Sequence, residues 1–426
     1  MKNCFICFIL VISLILSSCR IDIETNSDKS QTNNIVEYNL KTVTIQSALL
    51  SNLITNNNNG AYQILNHWNN TGIITYYDFE TMNKVVLSSD MNNAYTKDST
   101  AYVDSVLGGV IPVVVNDNLF VIKNGSKILA EMSSGEDGFA KIIKMELNGS
   151  SRKELKLPSY INMDLNSVFL SDDDENLYTL TYNIGQSVDD IKICLTKLDV
   201  NNGSIDNIYN FENYDNLKLL KGYDNQIILY NAVHDKENQM TDKFNIYKFD
   251  ILTQKLTKII ELSILNNSFV IGKDCLYFSN KSNNLIKKIY FDNLDEVTLL
   301  NSEIVSQITL YDYYDNRIIA SFITDDNDFE YISIDSNGNI YPLEHYYSKN
   351  GGLKFMGIFG ETDDDFIISI QDTIVDYTMK NSVGSYDTIK MPIMNFALIN
   401  KEDYWNNKPN YRLFIDSVEY TNIPEK

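Results

Sequence analysis

One pattern of apolar and polar positions recurs along the chain. A turn carrying aspartate or asparagine runs at once into a stretch of β-branched, leucine and aromatic residues. It reads VVVNDNLFVI at 113–122, DDDENLYTLTY at 172–182, GYDNQIILY at 222–230, GKDCLYFS at 272–279, YYDNRIIASF at 313–322 and TDDDFIISI at 362–370. Short apolar runs bounded by turn residues predict strands rather than helices. Each is followed by a second apolar hairpin, at 142–157, 195–211, 244–262, 287–300, 331–343 and 396–414, and one more, at 73–88, precedes them all. Alternation is plain at Phe244, Ile246 and at Ile332, Ile334, and Asn337-Gly338 is a hairpin turn.

Taking Asp117, Asp174, Asp224, Asp274, Asp315 and Asp364 as markers, the steps are 57, 50, 50, 41 and 49 residues. A period near 50 built from strands and tight turns predicts an all-β fold, a β-propeller with one four-stranded blade per repeat. Six inner hairpins face seven outer ones. The unmatched hairpin at 73–88 needs partners, because a bare strand edge invites aggregation. Ala61–Leu65 is one candidate strand, and the segment from Tyr411 to Tyr420 is a candidate inner strand, so that the two ends of the chain would share the first blade. Seven blades is the favoured count; six, with the first hairpin packed elsewhere, is the other. The longest insertion within a blade falls at 371–390.

The N-terminus has a different pattern. Lys2 precedes an apolar core from Cys4 to Leu16, too short for a membrane span and of signal-peptide length. Leu16-Ser17-Ser18-Cys19 then resembles the bacterial lipobox. This predicts a lipoprotein signal peptide at 1–18 and a diacylglyceryl group on Cys19, a membrane anchor whose buried methylenes each contribute roughly 0.8 kcal/mol. Residues 19–60 are expected to form a polar tether, with a short strand or helix between 35 and 54, and residues 61–426 the propeller. Cys4 and Cys7 leave with the signal. Cys194 and Cys275 fall on non-adjacent blades and are expected to be buried free thiols.

Composition narrows the partners. There are 57 acidic and 35 basic residues, a formal charge of −22. That field repels phosphate backbones, so nucleic acid is not an expected partner. The 28 tyrosines and 19 phenylalanines suit pleated strands.

Candidate chemistry is sparse. The three histidines, His67, His234 and His345, lack metal-ligand spacing and sit beside no cysteine. There is no GxSxG elbow, no Walker loop and no GxGxxG. The clusters Asp172 to Glu175, Asp325 to Asp328 and Asp363 to Asp365 offer calcium-type oxygens, but none fits the spaced EF-hand loop, and tight-turn chemistry explains them as well. No catalytic residue, cofactor or metal is therefore expected. Trp68, Tyr76, Tyr77, Tyr313, Tyr314, Tyr346, Tyr347, Tyr404 and Trp405 are candidates to line a ligand surface. His345, Tyr346 and Tyr347, placed in a loop after an outer strand, are the preferred ligand face.

Residues 76–122 and the closing FALINKEDYWNNKPNY at 396–411 resemble a group of low-GC Gram-positive surface lipoproteins with predicted propellers, similar to the TolB-like and low-density-lipoprotein-receptor-type propellers. Residues 89–106, where that group carries a Cys/His cluster, hold neither residue here. The resemblance implies an uncharacterised binding protein at the cell envelope and no known reaction. The expectation is a lipid-anchored, extracytoplasmic, non-enzymatic module for a protein, peptide or glycan. The alternatives are a hydrolase or lyase of a cell-surface polymer, or an accessory subunit of an envelope complex or transporter.

Overall fold

The computed structural model describes residues 38–43, 54–66, 71–104, 109–124, 140–157, 161–172, 176–184, 191–212, 214, 216–234, 241–324, 329–349, 352–380 and 385–420. Its sheets form seven blades. Blade 1 comprises Ile54–Asn56, Gly60–Asn66, Gly72–Asp78 and Asn83–Val86; blade 2 comprises Val110–Val115, Asn118–Lys123, Lys141–Glu146 and Lys153–Lys156. Blade 3 has Leu170–Ser171, Asn176–Ile184, Ile191–Asp199 and Ile205–Phe211, and blade 4 has Leu217–Tyr223, Gln226–His234, Thr241–Asp250 and Lys255–Ser263. Blade 5 is built from Phe269–Ile271, Cys275–Asn280, Leu285–Tyr290 and Glu296–Asn301; blade 6 from Ile308–Tyr314, Arg317–Ile323, Phe329–Ile334 and Ile340–Leu343. Blade 7 has Ile358–Glu361, Asp365–Ser369, Phe396–Asn400 and Arg412–Leu413. The favoured count of seven is the observed one.

The core explains the unbroken apolar runs. It divides into clusters, one at each junction between neighbouring blades. Cys275 and Tyr277 pack toward Ile308 and Leu310 of blade 6, while Leu276 and Phe278, on the other face of the same strand, pack toward Ile228 and Ile246 of blade 4. A strand in the middle of a blade is therefore covered on both faces, and the period of two disappears from its sequence. The marker turns also behave as their composition predicts. Asn116, Asp224, Asp315 and Asn316 all adopt left-handed backbone, with φ of 49°, 49°, 46° and 61°, a conformation that Asn and Asp tolerate. Asp174 lies outside the described residues.

Ring closure differs from the expectation. The inner strand of blade 1 is Ile54–Asn56, from the stretch that sequence left between strand and helix, so no inner position is open to the C-terminus. Ile415–Asp416 instead adds to the outer edge, parallel to Asn83–Val86. Blades 7 and 1 meet through Ile54, Ala61, Tyr77, Phe359, Ile367, Phe396 and Leu398, all buried. Asn58 and Asp363 join the inner hairpin tips of these blades through bonds of 2.8 and 3.2 Å.

The body also starts earlier than residue 61. Lys41–Thr42 pairs antiparallel with Leu170–Ser171 on the axial side of blade 3. Leu40 is buried between blades 3 and 4, and Leu40 N–H donates to the Asp224 carbonyl at 3.0 Å. Gly222 makes room for this segment: a Cβ there would lie 2.9 Å from the Leu40 carbonyl oxygen. Two further departures concern blade 7. Its outer connection contains a helix, Lys401–Trp405, capped by Asn400, and its long insertion is a two-stranded ribbon, Thr373–Lys380 with Tyr386–Ile393.

Candidate functional site

The tyrosines and histidine preferred from sequence are packed inward. Tyr346–Lys349 is a strand of a small hairpin with Gly352–Phe355, not a loop. His345 is 1% exposed and lies flat on Tyr404, with ring centroids 4.4 Å apart. Its Nε2–H donates to the Tyr404 carbonyl at 2.7 Å, so its Nδ1 accepts from the Tyr411 hydroxyl at 2.8 Å. Burial holds the ring below the usual histidine range. Tyr347 is buried, and the half-buried Tyr346 accepts from Tyr331 N–H. The triplet closes the junction of blades 6 and 7 and offers no ligand face. Tyr77, Tyr314, Tyr404 and Trp405 are likewise core residues. His67, Trp68 and Cys19 lie outside the described residues, as does the His234 side chain.

One residue of the sequence candidates, Tyr313, does line a cavity. The inner strands of blades 4, 5 and 6 leave a pocket of about 300 Å³, with Phe269, Ile271, Tyr311, Asp312 and Tyr313 among its walls and Asn267 and Ser268 on its polar side. It owes its shape to a bulge. Pairing between Ile308–Tyr314 and Arg317–Ile323 passes from Leu310–Ala320 to Asp312–Ile319, so Tyr311 is the extra residue. Bulges re-aim side chains. Thr309, Tyr311 and Tyr313 are half-exposed on this strand, whereas Asp312 is buried.

The surroundings of these groups are ordered. Ser268 Oγ accepts from Leu310 N–H at 2.8 Å and meets Ser279 Oγ at 2.9 Å. Asn267 donates to the Ser263 carbonyl at 2.9 Å. Tyr313 stacks on Tyr277 at 5.4 Å. Burial pushes the Tyr313 phenol up, so it stays protonated at neutral pH. Burial raises Tyr314 and Tyr404 as well, and the charge of Asp312 acts in the same direction on both. The lining thus supplies one carboxylate, the phenols of Tyr311 and Tyr313, the latter donating to Asn316 Oδ1 at 3.2 Å, and aromatic faces. Sequence hid Asp312 and Tyr311 because YDYYD reads as an ordinary strand and turn; only the bulge and the ring place them on a wall.

A second cavity, of about 320 Å³, lies beside Asp104, Arg152 and Glu154. Its charges satisfy one another: Lys141 contacts Asp104 at 3.1 Å and Glu154 at 3.2 Å, and Arg152 bonds Glu154 and the Thr100 and Tyr102 carbonyls. Among the described residues no group of three or more His, Cys, Asp or Glu side chains could hold a metal ion. Asp363 is engaged by Asn58 at the closing junction, and Asp365 by Arg412 within blade 7. Cys194 and Cys275 are buried, and neither is in a disulfide.

No family model matches the chain, and no curated protein matches its sequence. Solved structures do resemble it. An acylaminoacyl peptidase from Pyrococcus horikoshii aligns with a TM-score of 0.47 at 10% identity over 85% of this chain, which spans only 53% of that peptidase. A PL25 polysaccharide lyase, an ulvan lyase, aligns with a TM-score of 0.47 at 10% identity over 85% of this chain and 95% of its own. The β-propeller domain of the trilobed protease from Pyrococcus furiosus aligns with a TM-score of 0.45 at 10% identity, over 87% and 98%.

These likenesses agree with the propeller seen in the sheets and name no family. They also correct one expectation. The chain was expected not to be an enzyme; the solved structures that resemble it include those of peptidases and a polysaccharide lyase.

Proposed function

We propose that the chain is a hydrolase or lyase acting on a polymer outside the cytoplasm, with the pocket of Phe269, Tyr311, Asp312 and Tyr313 receiving one unit of that polymer. The observation that carries this reading is the pocket itself. Its volume of about 300 Å³ is at the lower end of ligand cavities, and aromatic walls with a few placed polar groups are what such cavities use. Glycoside hydrolysis uses two carboxylates, and the wall carries one. Elimination is better served. The Asp312 carboxylate would take the proton from the carbon next to an acidic or carbonyl group. A protonated tyrosine would give its proton to the departing oxygen as the C–O bond breaks and a double bond forms.

The location in this reading comes from sequence: a signal at 1–18 and acylation at Cys19 would hold the body at the outer face of a membrane, as in the surface lipoproteins that residues 76–122 resemble. The test is a turnover screen of the purified chain on acidic and neutral polysaccharides and on peptides, followed by reducing ends, new absorbance from unsaturated products, and released amines. Asp312→Asn keeps the shape of the side chain and is expected to lower turnover at least a hundredfold with an unchanged melting temperature. Absence of turnover on every class, or equal turnover by the variant, would overturn the proposal. Mass spectrometry of the membrane-extracted protein should show a diacylglyceryl cysteine at its N-terminus.

A further inference from the structure

We infer that the rim of the ring carries a separate binding groove for a neutral saccharide, between the outer edges of blades 3 and 4. The groove encloses about 630 Å³ and is lined by Asn207, Tyr209, Asn210, Glu212, Tyr214 and Gln254, among others. Two half-exposed tyrosines stand on a buried aromatic base. Tyr209 lies 4.9 Å from Phe211 and 4.8 Å from Phe249, and Tyr214 meets Phe211 and Tyr247 edge-on at 6.2 and 5.6 Å. Rings fixed in this way present large apolar faces at little entropic cost. Beside them are planar amides, the groups that bridge neighbouring hydroxyls of a sugar. Asn207 and Asn210 are anchored through Oδ1, by Thr196 Oγ1 at 3.4 Å and Cys194 Sγ at 2.9 Å. Among the described residues nothing bonds their Nδ2 groups.

The charge and the backbone choose the ligand class. Among the described residues Glu212 is the lone charged side chain of the lining, and the chain carries −22 overall, so an anionic ligand is disfavoured. The other natural occupant of an open sheet edge is an extended peptide, which would pair with Ile205–Phe211. That strand is bulged: its pairing with Ile191–Asp199 passes from Tyr209–Leu195 to Asn207–Thr196, leaving Ile208 over. A bulge interrupts the regular ladder that strand addition requires and turns side chains into the groove. The site does not depend on chemistry at the axial pocket.

The test is calorimetric titration of the purified full chain with chitohexaose and maltohexaose. One of the two is expected to bind with one-to-one stoichiometry. Tyr214→Ala should weaken it at least tenfold. Gln254→Ala, which removes an exposed amide that donates to the Ile208 carbonyl at 3.3 Å, should weaken it about fivefold, with circular dichroism confirming a folded variant. No heat with either sugar at millimolar concentration, affinity untouched by both variants, or displacement of the sugar by an unrelated extended peptide would each overturn the inference. The experiment reads binding alone, so its failure leaves the catalytic proposal standing, and failed turnover leaves this one standing.

Discussion

Replacing Asp416 by asparagine is expected to loosen the ring where its two ends meet. Lys84, on the outer strand of blade 1, has a side chain only 1% exposed, and its Nζ lies 3.3 Å from Asp416 Oδ2 and 2.6 Å from the Tyr420 hydroxyl. The rings of Tyr77 and Tyr420 each stand 5.1 Å from the same nitrogen. Burial lowers the lysine's affinity for its proton, and Asp416 opposes that fall. At 3.3 Å and an effective dielectric near 20, the pair attracts by about 5 kcal/mol. Asp416 keeps 31% of its side chain in water, and screening roughly halves the figure, leaving about 2–3 kcal/mol. Unfolding entropy of about 2.1 cal/mol/K per residue over the roughly 320 described residues makes this a fall of about 4 °C in melting temperature.

A double-mutant cycle with Lys84→Met, read by calorimetry and urea midpoints, isolates the pair. Lys84→Met alone removes the buried charge and should cost less than Asp416→Asn alone. Asp416→Asn in the Lys84→Met background should cost almost nothing. The single Asp416→Asn variant should also recover stability as pH rises toward 10. Its folded lysine loses the proton before the unfolded one does, so the unfolded state binds more protons and stability climbs with pH. Additive effects in the cycle, or no loss from Asp416→Asn, would refute a stabilising role for the Lys84–Asp416 pair at the closure of the ring.

Other outcomes follow from the same structure. His345 has its proton affinity lowered by folding, so its contribution is full above about pH 6.5 and is lost as pH falls from there through the folded value; melting temperatures from pH 8 to 5 should fall less steeply for His345→Phe. Gly222→Ala places a Cβ 2.9 Å from the Leu40 carbonyl oxygen and should displace residues 38–43, at a cost of about 1–3 kcal/mol, seen as faster hydrogen exchange in that segment. The Cys275 thiol is pushed up to about 11 by burial; iodoacetamide at pH 8 should leave Cys194 and Cys275 unlabelled in the native protein and modify both in urea.

What was legible in the sequence is what repeats. Hydrophobic runs, Asp/Asn turns and a spacing near 50 residues are set by local backbone preference and two-sided burial, so the blades could be read residue by residue, with seven favoured over six. The chain's own ends could not. Whether Ile54–Asn56 or the segment after Tyr411 fills the axial position of blade 1 depends on which edge lies nearer when the ring closes, and no local propensity records that distance. The same holds for function. His345, Tyr346 and Tyr347 carry the residue types of a binding face, yet their place between blades 6 and 7 buries His345 and Tyr347 and half-buries Tyr346. Asp312 and Tyr311 look like strand filler, yet one extra residue in the register and the convergence of three inner strands set them on a cavity wall. Residue type and periodicity fix which faces must leave water; which polar groups then meet is decided only when separate blades are brought together, because contact across the ring is a property of the closed body and of no single stretch.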